Sequence, residues 1–196
     1  MAGRGIVLSL KGVLAAPASE VPLTGPRAAA VALVLRESAA SFDVLLIERA
    51  ERIGDPWSGH IALPGGRAEP GDADLSATAE RETLEEVGLD LARAAERLGR
   101  LSDWEPVRGM PVAVRPFVYL LTAEAALQPN AEVREAFWVP IDPLLRGQWA
   151  STYRHTHGDR QYDFPAWDID GRVVWGLTYR VLGEFFRRYN AVSAQR

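Results

Sequence analysis

Cysteine is absent from the 196-residue chain, which excludes disulfides, zinc–thiolate sites and a cysteine nucleophile. Lysine is nearly absent. Lys11 is the only one, so almost all positive charge is arginine. Arginine suits bidentate contacts to phosphate, although a compositional bias of the genome produces the same count. A basic excess is missing as well: the formal net charge is −4, whereas a mainly electrostatic nucleic-acid binder carries the opposite sign. No nucleic-acid partner is expected, and an anionic small-molecule substrate would need local arginine or a metal ion. No apolar run approaches the roughly 20 residues that span a bilayer, so no membrane span is expected. Gly5 to Ala16 faintly resembles a signal sequence, but Lys11 interrupts it and Arg4 is the only earlier charged side chain. A cytoplasmic location is the expectation. Neither a P-loop nor a G-x-S-x-G pattern occurs.

What is present is apolar enough, at 47%, to bury a full core, and the length suits one domain. Residues 1–26 read as a mixed N-terminal extension that ends in Pro22, Gly25 and Pro26, residues 27–190 as the domain, and 191–196 as a tail. Ala28 to Leu35 is an apolar run expected of a buried strand, and Asp43 to Glu48 reads as a second. Pro64, Gly65 and Gly66 stop the short run Ile61 to Leu63. Further strands are expected at Val114 to Leu121, broken near Pro116, and at Ala136 to Ile141. A hairpin is expected around Asp170 and Gly171. Leu177 to Tyr189 is an amphipathic helix with Val181, Leu182, Phe185, Phe186 and Tyr189 on its apolar side. It packs on its own core or forms a dimer seam, and closed homodimers are common. Strands and helices interleave, so the fold class is α/β or α+β, a mixed sheet between helices.

The informative segment runs from Asp74 to Gly88. It is rich in Ala, Glu, Arg and Leu and contains no Gly or Pro before Gly88. Asp74 is an N-cap candidate and Gly88 a C-terminal stop. At about 100° per residue, Glu82, Glu85 and Glu86 fall within an arc of roughly 100°, with Leu84 and Val87 on the other side to pack. Like charges at that spacing destabilise a helix, and a hard divalent cation such as Mg²⁺ or Mn²⁺ would relieve them. A bare Glu-x-x-Glu-Glu is more often only a solvated acidic face; the context decides here. A Pro-Gly-Gly turn precedes the helix, Arg81 stands directly before Glu82, and Gly88 closes it.

In these residues the chain resembles the Nudix family, whose box is G-x5-E-x7-R-E-U-x-E-E-x-G-U with U a bulky aliphatic. The matching positions are Gly66, Asp72, Arg81, Glu82, Glu85, Glu86, Gly88 and Leu89. Asp72 replaces the first glutamate, eight residues rather than seven separate it from Arg81, and Thr83 replaces an aliphatic. The resemblance implies a pyrophosphohydrolase in which Glu82, Glu85 and Glu86 bind metal and Arg81 holds them. It leaves the general base open between a box glutamate, Glu105 and Glu132, and it leaves Glu69 and Asp72 without an assigned role.

Outside the box the likeness is greatest to the coenzyme A pyrophosphatase branch. It is carried by Leu45-Leu46-Ile47-Glu48-Arg49, Gly59-His60-Ile61-Ala62-Leu63-Pro64-Gly65-Gly66, Glu132-Val133, Trp138-Val139-Pro140 and Val174-Trp175-Gly176-Leu177-Thr178. Such enzymes split coenzyme A into 4′-phosphopantetheine and adenosine 3′,5′-bisphosphate. The branch places an arginine where this chain has Asp55, and a phenylalanine where it has Leu63. Arg49, Arg52, His60, Gly65, Gly66 and Arg67 are the expected substrate contacts. Nucleotide sugars or dinucleotides are the alternative substrates, and a non-catalytic nucleotide-binding module is the alternative of another class. Among the remaining residues, Trp57 and Trp104 are candidates to stack on an adenine. His155 and His157 form an H-x-H pair that is more often solvated than metal-binding.

Overall fold

An alanine-rich strand lies at the centre of the fold. The computed structural model describes residues 2–14, 28–39, 41–54, 57–105 and 112–194, with the side chains of 2–4 and His157 excepted. Strand β1 (Ala28–Glu37) is buried on both faces for most of its length. Ala28, Ala30, Ala32 and Val34 point to one core, and Leu33 and Leu35 to the other. This is the two-residue alternation of a strand. The small residues on the first face let a helix lie close to the sheet.

The seven-stranded sheet runs β3 (Ile61–Ala62), β2 (Phe42–Arg49), β1, β6 (Ala113–Leu121), β5 (Ala95–Arg100). Off this path, β4 (Gly65–Arg67) pairs with β1, and β7 (Val133–Pro140) pairs with β2. β1 and β6 are parallel and the other pairs antiparallel, so the sheet is mixed. The expected break at Pro116 does not occur. Its carbonyl accepts from Leu101 N–H at 2.9 Å, so its ring nitrogen faces Leu101, just past the end of β5, and the bonds to β1 are untouched.

Helices α2 (Leu75–Val87) and α3 (Leu91–Ala94) cover the alanine-rich face, burying Leu75, Ala79, Val87, Leu89 and Leu91. The other face carries α1 (Ala2–Leu14) and α5 (Gly176–Ser193), with Leu10, Leu14, Val181, Leu182, Phe185 and Phe186 in the core. The C-terminal helix therefore packs on its own sheet. α1, which lies within the mixed 1–26 segment, contributes two fully buried leucines, Leu10 and Leu14. A short helix α4 (Ile141–Leu145) leads into a second, three-stranded sheet of β8 (Ala150–His157), β9 (Arg160–Ile169) and β10 (Arg172–Val174). The β9–β10 turn is the expected one, with Asp170 and Gly171 both at positive φ. Among the described residues no helix is long and apolar enough to cross a membrane.

Candidate active site

Helix α2 begins and ends where its sequence says. Asp74 Oδ1 accepts from Ala77 N–H at 2.9 Å, and Gly88, at φ 70°, donates to the Leu84 carbonyl at 2.9 Å. Its rotation differs from the expectation. Thr83 and Glu86 turn toward the sheet with Val87, whereas Leu84 is 48% exposed. The buried stripe runs Leu75, Ala79, Thr83, Glu86. Ser76, Thr78 and Val87 flank it, and Leu84, about 100° around the helix from Thr83, falls outside. Thr83 is tolerated at full burial because its hydroxyl donates to the Ala79 carbonyl at 2.6 Å.

The three glutamates therefore meet three environments. Glu85 is exposed, Glu82 is partly buried, and Glu86 is 3% exposed. Gly65 N–H donates to Glu86 Oε2 at 2.9 Å. Burial pushes the Glu86 carboxyl up to about 7; the charges of Glu82 and Glu132 add to this, and Gly65 N–H and Arg49 oppose it. Glu82 is raised for the same first reason, burial, with Glu85 and Glu132 adding and Arg81 opposing.

Arg81 organises the cluster. Its Nε and Nη2 donate to the two oxygens of Asp72 at 3.0 and 3.1 Å, and Nη2 also reaches the Arg67 carbonyl at 3.0 Å. Nη1 then lies 3.1 Å from Glu82 Oε1 and 3.2 Å from Glu85 Oε2. Asp72 is thus the anchor of Arg81, and hydrogen bonding to that guanidinium is the main reason its carboxyl is held at about 2. The extra residue of the box is taken up before the helix starts, so the glutamate spacing is untouched. Glu69 only closes that turn, its backbone N–H donating to Asp72 Oδ2 at 2.9 Å.

Gly65 and Gly66 belong to β4, beside β1. A Cβ on Gly65 would overlap the Ala30 carbonyl, and one on Gly66 would overlap the Glu82 carboxylate. Glycine at both positions lets the backbone lie against the acidic cluster. Arg49 stands across the strand pair from His60, donating its N–H to the His60 carbonyl at 3.1 Å. Glu132 is brought to the cluster by the loop over the end of α2, where Asn130 N–H donates to the Glu86 carbonyl at 2.9 Å. Its side chain pairs with Arg52 at 2.9 Å.

Other candidates are engaged in contacts of their own or fall outside the cluster. Glu105 sits beside α5 on the opposite face of the sheet, its carbonyl accepting from Arg180. The Trp104 indole N–H donates to Glu184 at 3.1 Å and Arg180 lies over its ring at 4.3 Å, which places it with α5 and away from the acidic cluster. Asp55 lies outside the described residues. His60 packs edge-on against Trp175 at 5.1 Å, and His155 stacks on the same indole at 5.4 Å. The aromatic residues of β8 and β9 that join them had no signal in the linear sequence beyond a weak alternation.

Among the described residues no three acidic or imidazole side chains stand grouped as they would to hold a metal ion; Glu82 and Glu85 turn to Arg81, and Glu86 to Gly65. The donor set, all carboxylate oxygen with two members raised by burial and by neighbouring carboxylates, is the kind a hard divalent cation prefers.

Residues 25–158 match the family model of the NUDIX domain. Over 167 residues the chain is 34% identical to the mitochondrial coenzyme A diphosphatase NUDT8 of Homo sapiens, covering 82% of this chain and 68% of that protein. It is 41% identical over 110 residues to an uncharacterized protein of Schizosaccharomyces pombe, covering 52% of this chain and spanning only 33% of that relative's length. Among solved structures, a binary complex of the Ap4A hydrolase of C. elegans shares the fold at 18% identity. Its TM-score is 0.52, over 86% of this chain and 98% of that one.

Proposed function

Because the chain belongs to the Nudix family, we propose that it hydrolyses the pyrophosphate linkage of a nucleoside diphosphate derivative, with coenzyme A and its thioesters as preferred substrates. The observation that carries the reading is the crowding of Glu82, Glu86 and Glu132 at one end of α2. Carboxylates gathered this closely, two of them raised chiefly by burial, are only partly offset by Arg81, Arg52 and Gly65 N–H, an arrangement costly for a fold and useful for a site. In this reading Glu82, Glu85 and Glu86 hold Mg²⁺ or Mn²⁺. A bound divalent cation supplies charge neutralisation at the phosphoryl oxygens and a more acidic water.

The chain's own residues do the rest. Arg81, fixed by Asp72, holds Glu82 and Glu85 on the same side of α2. Gly65 N–H fixes Glu86. Glu132 is our choice for the group that accepts the proton of the attacking water as the new P–O bond forms and the bridging P–O bond breaks. On this reading Arg49, Arg52, His60 and Arg67 supply the contacts for substrate phosphates. The catalytic unit spans 27–190.

The preference for coenzyme A rests on the identity to the human diphosphatase and on the residues shared with that branch. The test is a panel of coenzyme A, 3′-dephospho-coenzyme A, nucleotide sugars, dinucleotides and nucleoside triphosphates with Mg²⁺ or Mn²⁺, read by product identity. The expected result is 4′-phosphopantetheine plus adenosine 3′,5′-bisphosphate, with kcat/KM falling about ten- to a hundredfold when the 3′-phosphate is removed. Equal rates for the first two substrates would remove the 3′-phosphate as a recognition element. No turnover of any substrate would favour a binding module.

A further inference from the structure

The β8–β9 hairpin has two unlike faces. Register pairs Tyr153 with Phe164 and His155 with Tyr162, which puts four rings on one side. The other side carries Thr152, Arg154, Asp163 and Pro165, with Arg154 and Asp163 joined at 2.8 Å. β10 pairs only with Trp167–Ile169, so the outer hairpin is two-stranded. Its ring face leans on Trp175, with Tyr153 stacked at 4.1 Å, His155 at 5.4 Å and Phe164 at 5.6 Å. Tyr162 and Phe164 nevertheless stay 42% and 37% exposed.

This face is continuous with the acidic cluster. Trp175 touches His60 at 5.1 Å. β2 pairs Glu48 with Ile61, so Arg49 and His60 stand opposite each other, and cross-strand neighbours project to the same side. Arg49 is one of the charges that act on Glu86. A path from Glu86 through Arg49, His60 and Trp175 thus ends on the open rings of Tyr162 and Phe164.

From this continuity we propose that the aromatic face of the β8–β9 hairpin is the subsite for the apolar, amide-containing arm of the diphosphate substrate, the part without the nucleoside. The inference rests on the hydrolase reading for its orientation. In this proposal a phosphate at the glutamates directs its substituent past His60 and along the ring face of Tyr153, His155, Tyr162 and Phe164. Ring faces with polar tips take methylene and amide groups at low entropic cost.

The test uses the 196-residue protein and its Tyr162→Ala, Phe164→Ala double variant, in which both changes remove partly exposed side chains. Octanoyl-coenzyme A should show a KM raised about tenfold with kcat unchanged, and ADP-ribose neither change. Equal KM increases for both substrates would mean that the face stacks the base and would overturn the assignment. Unaltered kinetics would overturn it too. A second readout does not depend on turnover. Octanoyl-pantetheine, which has neither base nor diphosphate, should quench tryptophan emission in the wild type. The quench should be absent from both the double variant and Trp175→Phe. If no diphosphate is hydrolysed but this quench occurs, the hydrolase reading fails and the subsite stands; no quench with normal turnover sinks the subsite alone. Sedimentation of wild type and double variant checks the remaining occupant. A dimer that becomes a monomer would identify the face as an interface between copies and contradict the proposal.

Discussion

Two buried glutamates, on opposite faces of one sheet, are treated in opposite ways. Glu184 on α5 is 5% exposed and accepts from Ser102 N–H at 3.1 Å, Ser102 Oγ at 2.9 Å, Trp104 Nε1 at 3.1 Å and Arg188 at 2.6 Å. Glu86 on α2 is 3% exposed, and among the described hydrogen bonds it accepts one, from Gly65 N–H. The charges of Glu82 and Glu132 add to the effect of its burial, and that of Arg49 opposes them. A buried carboxylate ringed by donors ties a helix to its neighbours. One crowded by its own sign works against the fold, and such groups cluster where a ligand supplies the missing charge. On the proposed reading, the difference separates a structural acid from a metal-binding one.

The sharpest way to break this contrast is to neutralise each acid in turn. Glu86→Gln keeps shape and removes a charged oxygen. We expect at least about a hundredfold loss of kcat/KM with no loss of thermal stability, because a repelling charge has been deleted. Glu184→Ala should do the reverse. It leaves Ser102, Trp104 and Arg188 with unmatched donors and should lower stability by about 2–4 kcal/mol in urea unfolding, while turnover below the transition stays near wild type. Similar phenotypes in the two variants would dissolve the distinction.

A smaller effect is expected at the turn. Gly66→Ala would drive a methyl group into the Glu82 carboxylate, so Glu82 must move. Activity should fall about tenfold with little change in the melting temperature. Unchanged kinetics would mean that Glu82 has room to spare.

These contrasts were unevenly legible in the sequence. The bounds of α2 follow from local chemistry, Asp74 as cap and Gly88 at positive φ, and so does the shared arc of the three glutamates. Which way the helix turns does not. Leu84 reads as a packing residue and is exposed; Thr83 reads as a departure and is buried. Both are decided by the alanine face of β1, which lies outside the helix's own sequence. Asp72 had an uncertain role because the inserted residue obscured the spacing. Folding settles it through the two-point contact with Arg81. The ring face of β8–β9 was invisible for a similar reason. Tyr153 and Phe164, or His155 and Tyr162, are neighbours only once the hairpin is in register. α1 was equally hidden, because Leu10 and Leu14 have a place to go only when α5 and β5 are assembled.

The smallest expected effect concerns pH and the anchored end of α2. Asp72 is held at about 2, below its ordinary 3.8, chiefly by its hydrogen bond to Arg81. The folded protein binds that proton more weakly than the unfolded chain. Its stabilising contribution is therefore complete above about pH 4 and disappears as the pH falls through about 2. Asp72→Asn should be less stable than wild type at neutral pH and should lose less further stability between about pH 4 and 2. Parallel acid profiles for the two proteins would show that the Asp72–Arg81 contact contributes nothing to the fold.

The central claim is that the crowded acids of α2 are a cation site and the satisfied acid of α5 is not. Calorimetric titration with Mn²⁺, without substrate, tests it most directly. The account predicts saturable binding to the wild-type protein, equal binding to Glu184→Gln, and binding weakened at least about tenfold in Glu86→Gln. Equal affinity in the wild type and Glu86→Gln would contradict it.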